Sequence, residues 1–204
     1  MTSLQEHWNK AYQKDIEKLG WYQKEASEIL KLIDALNLAK NTRIHIAGAG
    51  RTSLVKSLAD RSFTDLTLSD LSNDAIALSQ ADYPEYSLNL VQDDLGNPQA
   101  MQTQKPFDLW IDRAVLHFLT EEEARQNYFA LLKDKTNQGG YVLLAQFKKG
   151  GAKKCSGLDV CQYDVDMYNH YLGSGFALQQ SFDYTFINPN GDPRPYIYAL
   201  YQKL

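Results

Sequence analysis

Five short apolar runs, Arg43 to Ala47, Leu66 to Ser69, Leu88 to Val91, Phe107 to Ile111 and Tyr141 to Phe147, alternate along the chain with helical patterns. Strands separated by helical crossovers pair in parallel, and a parallel sheet is buried on both faces by those helices. The alternation therefore predicts an α/β protein, a Rossmann-like doubly wound sheet. It breaks near the end of the chain. Phe176 to Phe186 and Tyr196 to Tyr201 are aromatic-rich strand patterns joined by Asn188-Pro189-Asn190-Gly191-Asp192-Pro193, a hairpin turn composition. Seven strands are expected, mostly parallel and closing in an antiparallel hairpin. A doubly wound nicotinamide-binding domain keeps its sixth strand parallel, so this ending separates fold families.

The connecting helices follow from periodicity. Ile29, Leu32, Ile33 and Leu36 form one face of a helix between Ala26 and Leu38. Thr120 and Glu123 read as a capping box ahead of the stripe Ala124, Tyr128, Leu131 and Leu132, with a stop at Gly139-Gly140. Asp164 reads as the cap of a shorter helix ending near Gly173. With 204 residues the chain makes a single domain, residues 1–40 being N-terminal helices over a cleft. Twenty-one basic against 25 acidic residues, a net charge of -4, exclude a general nucleic-acid binder. No apolar run approaches a membrane span of ~18 residues, and Met1 to Lys10 is polar and of mixed charge, so a cytoplasmic protein is expected. Cys155 and Cys161, in C-x5-C spacing, match no common zinc or redox motif and read as free thiols.

The chemistry-bearing residues collect where strands end. The first strand runs into Gly48-Ala49-Gly50, a turn that lets a ligand approach the following helix, or a tight turn with no ligand. The second ends at Asp70, placed to accept from ribose hydroxyls, and the third at Asp93-Asp94, where a carboxylate meets an adenine amine. Three such ends on one edge agree with the rule for ligand position in parallel sheets, although each aspartate has a helix cap as its alternative. After the fourth strand come Asp112 and Arg113, a reactive pair or a structural ion pair, and His117, a base or a core histidine. Lys148, Lys149, Lys153 and Lys154 form a solvated loop, or a cationic lid for an anionic substrate or acidic protein surface.

Gly20-Trp21-Tyr22-Gln23, the stretch Trp110 to Thr120 (W-x-D-R-A-V-x-H-F-L-T) and Lys154-Cys155-Ser156-Gly157-Leu158 carry a resemblance. From about His7 onward the chain resembles class I S-adenosylmethionine-dependent methyltransferases, in particular bacterial relatives of the mitochondrial citrate synthase lysine methyltransferase. The resemblance implies S-adenosyl-L-methionine as cofactor. Gly48 and Gly50 would line its methionine part, Asp70 the ribose and Asp93 or Asp94 the adenine, with Ala47, Leu71 and Trp21 also in the cofactor site. Asp112 would lie against the cofactor, and Asp112, Arg113 and His117 would form the catalytic set. Two positions depart from the family: Ile46 stands where an acidic residue is usual, and Ile111 where histidine is usual.

Methyl transfer is an in-line displacement, so an enzyme acts mainly by holding the nucleophile against the methyl carbon, and a strong base is optional. The leading expectation is methyl transfer to an amine, on a protein lysine or a small molecule. Its rivals are a catalytically degenerate binder, motivated by Ile46, and a nicotinamide oxidoreductase, permitted by Asp70 and disfavoured by the terminal hairpin.

Overall fold

The computed structural model describes residues 3–204, so Met1 and Thr2 of the polar N-terminal stretch lie outside the described residues. The chain opens with helix α1 (Leu4–Tyr12), a 3-10 turn (Ile16–Lys18) and α2 (Ser27–Ala35). There follow β1 (Arg43–Ala47), α3 (Leu54–Ala59), β2 (Asp65–Asp70), α4 (Asn73–Asp82), β3 (Leu88–Gln92), β4 (Phe107–Arg113), α5 (Glu122–Lys135) and β5 (Thr136–Phe147). The last part comprises β6 (Lys154–Cys155), β7 (Leu158–Asp159), α6 (Val165–Leu172), β8 (Phe176–Ile187) and β9 (Pro193–Lys203).

The main sheet has seven strands in the order β3-β2-β1-β4-β5-β9-β8. Strands β1 to β5 pair in parallel, β9 runs antiparallel to β5, and β8 antiparallel to β9. The predicted fold class and terminal hairpin are therefore present. Strand order reverses between β1 and β4, and ligands of open α/β sheets bind at such a switch point, beyond the carboxyl ends of the strands. Period-two alternation divides the core. Ile44, Ile46, Leu109 and Ile111 face the layer of α2 and α3, while Trp110, Val142 and Leu144 face Tyr128, Phe129 and Leu132 of α5. No helix among the described residues is long and apolar enough to cross a membrane.

Local chemistry accounts for what matched and what did not. Asp164 caps α6 by accepting the Met167 N–H at 2.8 Å, and Gly173 ends it at φ 72°. The Thr120–Glu123 capping box does not form. The N-cap is Glu121, without a side-chain bond, and Arg125 ties this turn by donating to the carbonyls of Leu119 and Thr120. Helix α5 stops at Lys135, short of Gly139-Gly140, because Thr136 turns to an extended backbone (φ -99°, ψ 128°) and already pairs with Phe107. The two glycines lie inside β5, at the irregularity between the pairs Phe107–Thr136 and Leu109–Tyr141. Trp21 and Tyr22 lie in the connection before α2 and start no helix. The Lys154 to Leu158 motif is a miniature hairpin, β6–β7, turned by Ser156 (φ 51°) and Gly157 (φ 80°), both left-handed as a two-residue primed turn requires.

Candidate active site

The carboxyl edge of the sheet is organised by Asp70. Its Oδ2 accepts the Gly50 N–H at 2.9 Å and its Oδ1 the Ser72 N–H at 2.8 Å, which joins the loop after β1 to the loop after β2. A carboxylate has about four acceptor positions, so acceptor capacity remains for a ligand. Burial pushes this carboxyl up to about 6, against the backbone N–H groups that favour its charge. The glycines beside it are demanded by the chain's own packing. At Gly48 (φ 50°) a Cβ would overlap the Val115 side chain, and at Gly50 (φ 53°) the Tyr12 hydroxyl.

The two aspartates after β3 divide their work. Asp93 is buried and spends its carboxylate on the N–H groups of Asp94, Gln99 and Met101, shaping its own loop. Asp94 accepts only the Gly96 N–H, through Oδ1 at 2.8 Å, so its second oxygen is free to meet a ligand.

Asp112 and His117 stand behind the wall of the cleft. Asp112 is fully buried, accepting from Val115 N–H (3.1 Å) and Gln146 Nε2 (2.6 Å) on Oδ1, and from Leu116 N–H (3.2 Å) and the Tyr128 hydroxyl (2.6 Å) on Oδ2. All its acceptor positions are taken, so it holds the turn that carries Arg113, Ala114 and Val115. Within that turn Ala114 adopts φ 68°, a strained conformation for a residue with a Cβ. His117 is fully buried with its ring stacked on Phe147 at 4.4 Å, and neither ring nitrogen has a partner. Burial, reinforced by Arg113, lowers it to about 3 and leaves the imidazole neutral. The alternative of a structural Asp112–Arg113 ion pair is not realised among the described residues. Arg113 turns the other way, donating from Nη1 to the Trp21 carbonyl at 3.0 Å, with its guanidinium over Phe186 and Tyr196.

Two hollows flank this arrangement. The larger, about 750 Å³ of empty space continuous with solvent, is lined by Asp70, Leu71, Asp94, Val115 and Phe118. The smaller, about 640 Å³, lies between the glycine loop and the segment before α2, with Ile46, Ala47 and Tyr22 in its wall. Gly48, Trp21 and Arg113 line both. Trp8 roofs the larger hollow, its ring 5.5 Å from Trp21 and 4.8 Å from Phe118, with Tyr12 beside Trp21. Sequence reading missed Trp8 and Tyr12, which stand four residues apart on one face of α1, and also Tyr128 and Gln146. The first pair had a signal in that spacing; the second had none, since only tertiary contact brings them to Asp112. The lysine loop is largely neutralised, with Lys148 paired to Asp183, Lys149 to Asp164 and Lys154 to Asp159.

The larger hollow fits a nucleoside: hydroxyl acceptors at Asp70, an acceptor for an exocyclic amine at Asp94, and apolar walls at Leu71, Val115 and Phe118 for a flat base.

No protein-family model matches the chain. Over 156 residues it is 27% identical to EEF1A lysine methyltransferase 2 of Danio rerio, a match covering 68% of this chain and 66% of that relative's length. Its fold is similar to a methyltransferase structure from Anabaena variabilis, with TM-score 0.80 and 13% identity over 100% of this chain and 96% of the other. It is also similar to the N-methyltransferase NodS of Bradyrhizobium japonicum, solved with S-adenosyl-L-homocysteine, with TM-score 0.67 and 12% identity over 96% and 97% of the two chains. In fold the chain is thus similar to solved S-adenosylmethionine-dependent methyltransferases, and over part of its length it is similar in sequence to a lysine methyltransferase.

Proposed function

We propose that this protein is an S-adenosylmethionine-dependent methyltransferase acting on an amine, a protein lysine or a small molecule. The observation that carries the reading is the larger hollow at the switch point, where Asp70 and Asp94 keep acceptor capacity beside the glycine loop. The amine is supported by the match to a lysine methyltransferase and by the similarity to an N-methyltransferase. The polar composition and the two unpaired cysteines suit a cytoplasmic enzyme.

When bound, S-adenosylmethionine supplies an electrophilic methyl group. The chain's own residues do the rest by position. Asp70 and Asp94 hold the nucleoside, and the loop Ala47 to Gly50 leaves room for the methionine part. Trp8, Tyr12 and Trp21 exclude water, which strengthens every polar contact beneath them. Gly48, Trp21 and Arg113 form the neck where the two hollows meet, and there the acceptor nitrogen approaches. Orientation of this kind supplies on the order of 7–11 kcal/mol of barrier reduction. An ammonium must lose a proton before it attacks. Asp112 and His117 do not touch the cleft, so that proton passes to solvent and neither acts as a base.

Calorimetry with S-adenosylhomocysteine and with NADH, followed by a turnover assay with methyl-labelled cofactor and a lysate as acceptor, tests the proposal. Binding of S-adenosylhomocysteine alone and label transfer to an amine are expected. Binding of NADH in its place would refute it.

A further inference from the structure

A third hollow lies on the outer side of Trp21. It is formed by α1, the 3-10 turn and the tip of the β6–β7 hairpin, with about 770 Å³ of empty space. Its wall carries His7, Lys10, Lys14 and Lys18, together with Trp21 and Ser156. All three lysines are exposed, and no carboxylate among the described residues lies within ion-pair distance of any of them. The acids of the same stretch, Glu6, Asp15 and Glu17, do not line the hollow. The wall of the hollow therefore gathers basic side chains, although the stretch as a whole is charge-balanced, and the Nε2 of His7 is buried without a partner among the described residues. The lysine loop shows the contrast, since three of its four lysines face aspartates.

Position gives this gathering a use. Trp21 lines this hollow and both cleft hollows, and Ser156 follows Cys155, which lines the cleft hollow of Asp70 and Asp94. Through Trp21 the hollow adjoins the neck, so a protein acceptor seated at the neck has the three lysines beside it. We propose that the hollow of Lys10, Lys14 and Lys18 docks acidic side chains flanking the target lysine of a protein acceptor. This rests on the methyltransferase reading and narrows its acceptor to a lysine in an acidic context. Charge complementarity between the lysine-lined hollow and the acidic side chains supplies the attraction.

The experiment uses the full chain and two peptides, Glu-Glu-Gly-Lys-Gly-Glu-Glu and Ser-Ser-Gly-Lys-Gly-Ser-Ser, titrated by calorimetry with and without S-adenosylhomocysteine. At about 50 mM salt the acidic peptide should bind roughly tenfold tighter than the serine peptide, and at about 300 mM most of that preference should vanish, because exposed charges are screened beyond a few ångströms there. Lys10→Gln/Lys14→Gln/Lys18→Gln should lose the preference, and the triple Lys→Arg variant should keep it. Equal affinities for the two peptides, or an unchanged preference in the Gln variant, would overturn the proposal. So would saturable binding of inorganic pyrophosphate with no binding of the acidic peptide, which would make the hollow a small-anion site. Failure of S-adenosylhomocysteine to bind would sink the methyltransferase reading separately, since the peptide preference is also read on the ligand-free protein.

Discussion

Replacing Asp112 by Asn sets two effects of known sign against each other. The carboxylate takes four hydrogen bonds, and the Tyr128 hydroxyl cannot turn away because it also accepts from Trp110 Nε1 at 3.1 Å. With an amide nitrogen in place of Oδ2, the Leu116 N–H and the Tyr128 O–H face another donor, at about 1–3 kcal/mol for each buried group left unpaired. Against this, burial raises the Asp112 carboxyl from its ordinary 3.8 to about 6. Between those values the native state holds a proton that the unfolded chain has released, so wild-type stability falls as pH rises through the window, by roughly 3 kcal/mol in all. The amide does not titrate. The deficit of Asp112→Asn relative to wild type should therefore be largest near pH 4 and shrink by about 3 kcal/mol on approaching pH 7. Urea unfolding of both proteins across that range measures it. The difference between them cancels Asp70, which burial also raises to about 6. A deficit constant with pH, or one that grew, would show that Asp112 does not carry a buried, costly charge.

Asp70→Ala should weaken S-adenosylhomocysteine binding by about 1.5–3 kcal/mol, since the ribose loses a charged acceptor; calorimetry on a variant shown to be folded would contradict this if affinity were unchanged. Gly48→Ala should be destabilised by the Val115 overlap and by about 1–2 kcal/mol of left-handed strain. Adding Val115→Ala should relieve the worst of the overlap, that with Cγ2, and leave the backbone strain, as thermal melts of single and double variants will show. His117→Phe should preserve turnover and raise stability by about 1–3 kcal/mol, because it removes ring nitrogens buried without partners. A large fall in turnover of the folded variant would restore His117 as a base.

The sequence by itself determined the architecture, because that depends on local, repeated signals. Apolar runs alternating with helical stripes specify a covered parallel sheet, and the Asn/Pro/Gly turn before β9 specifies its antiparallel end. Asp70 and the glycine loop were legible for the same reason, since each stands at the end of a strand whose place in the order was known. Tertiary structure decided which polar side chains reach the cleft. Asp93 and Asp94 are adjacent, yet one is spent on three backbone N–H groups and the other keeps an oxygen free. Asp112 sits in the most specific motif of the chain, and its four partners come from its own turn, from α5 and from β5. Lys148 and Lys10 look alike in sequence, but only the first meets an aspartate, supplied by β8. Local pattern fixes which face and which end of an element a residue occupies. Whether its charge is free, paired or buried depends on atoms that the fold brings from elsewhere in the chain, and their interaction energy exists only once the chain has closed.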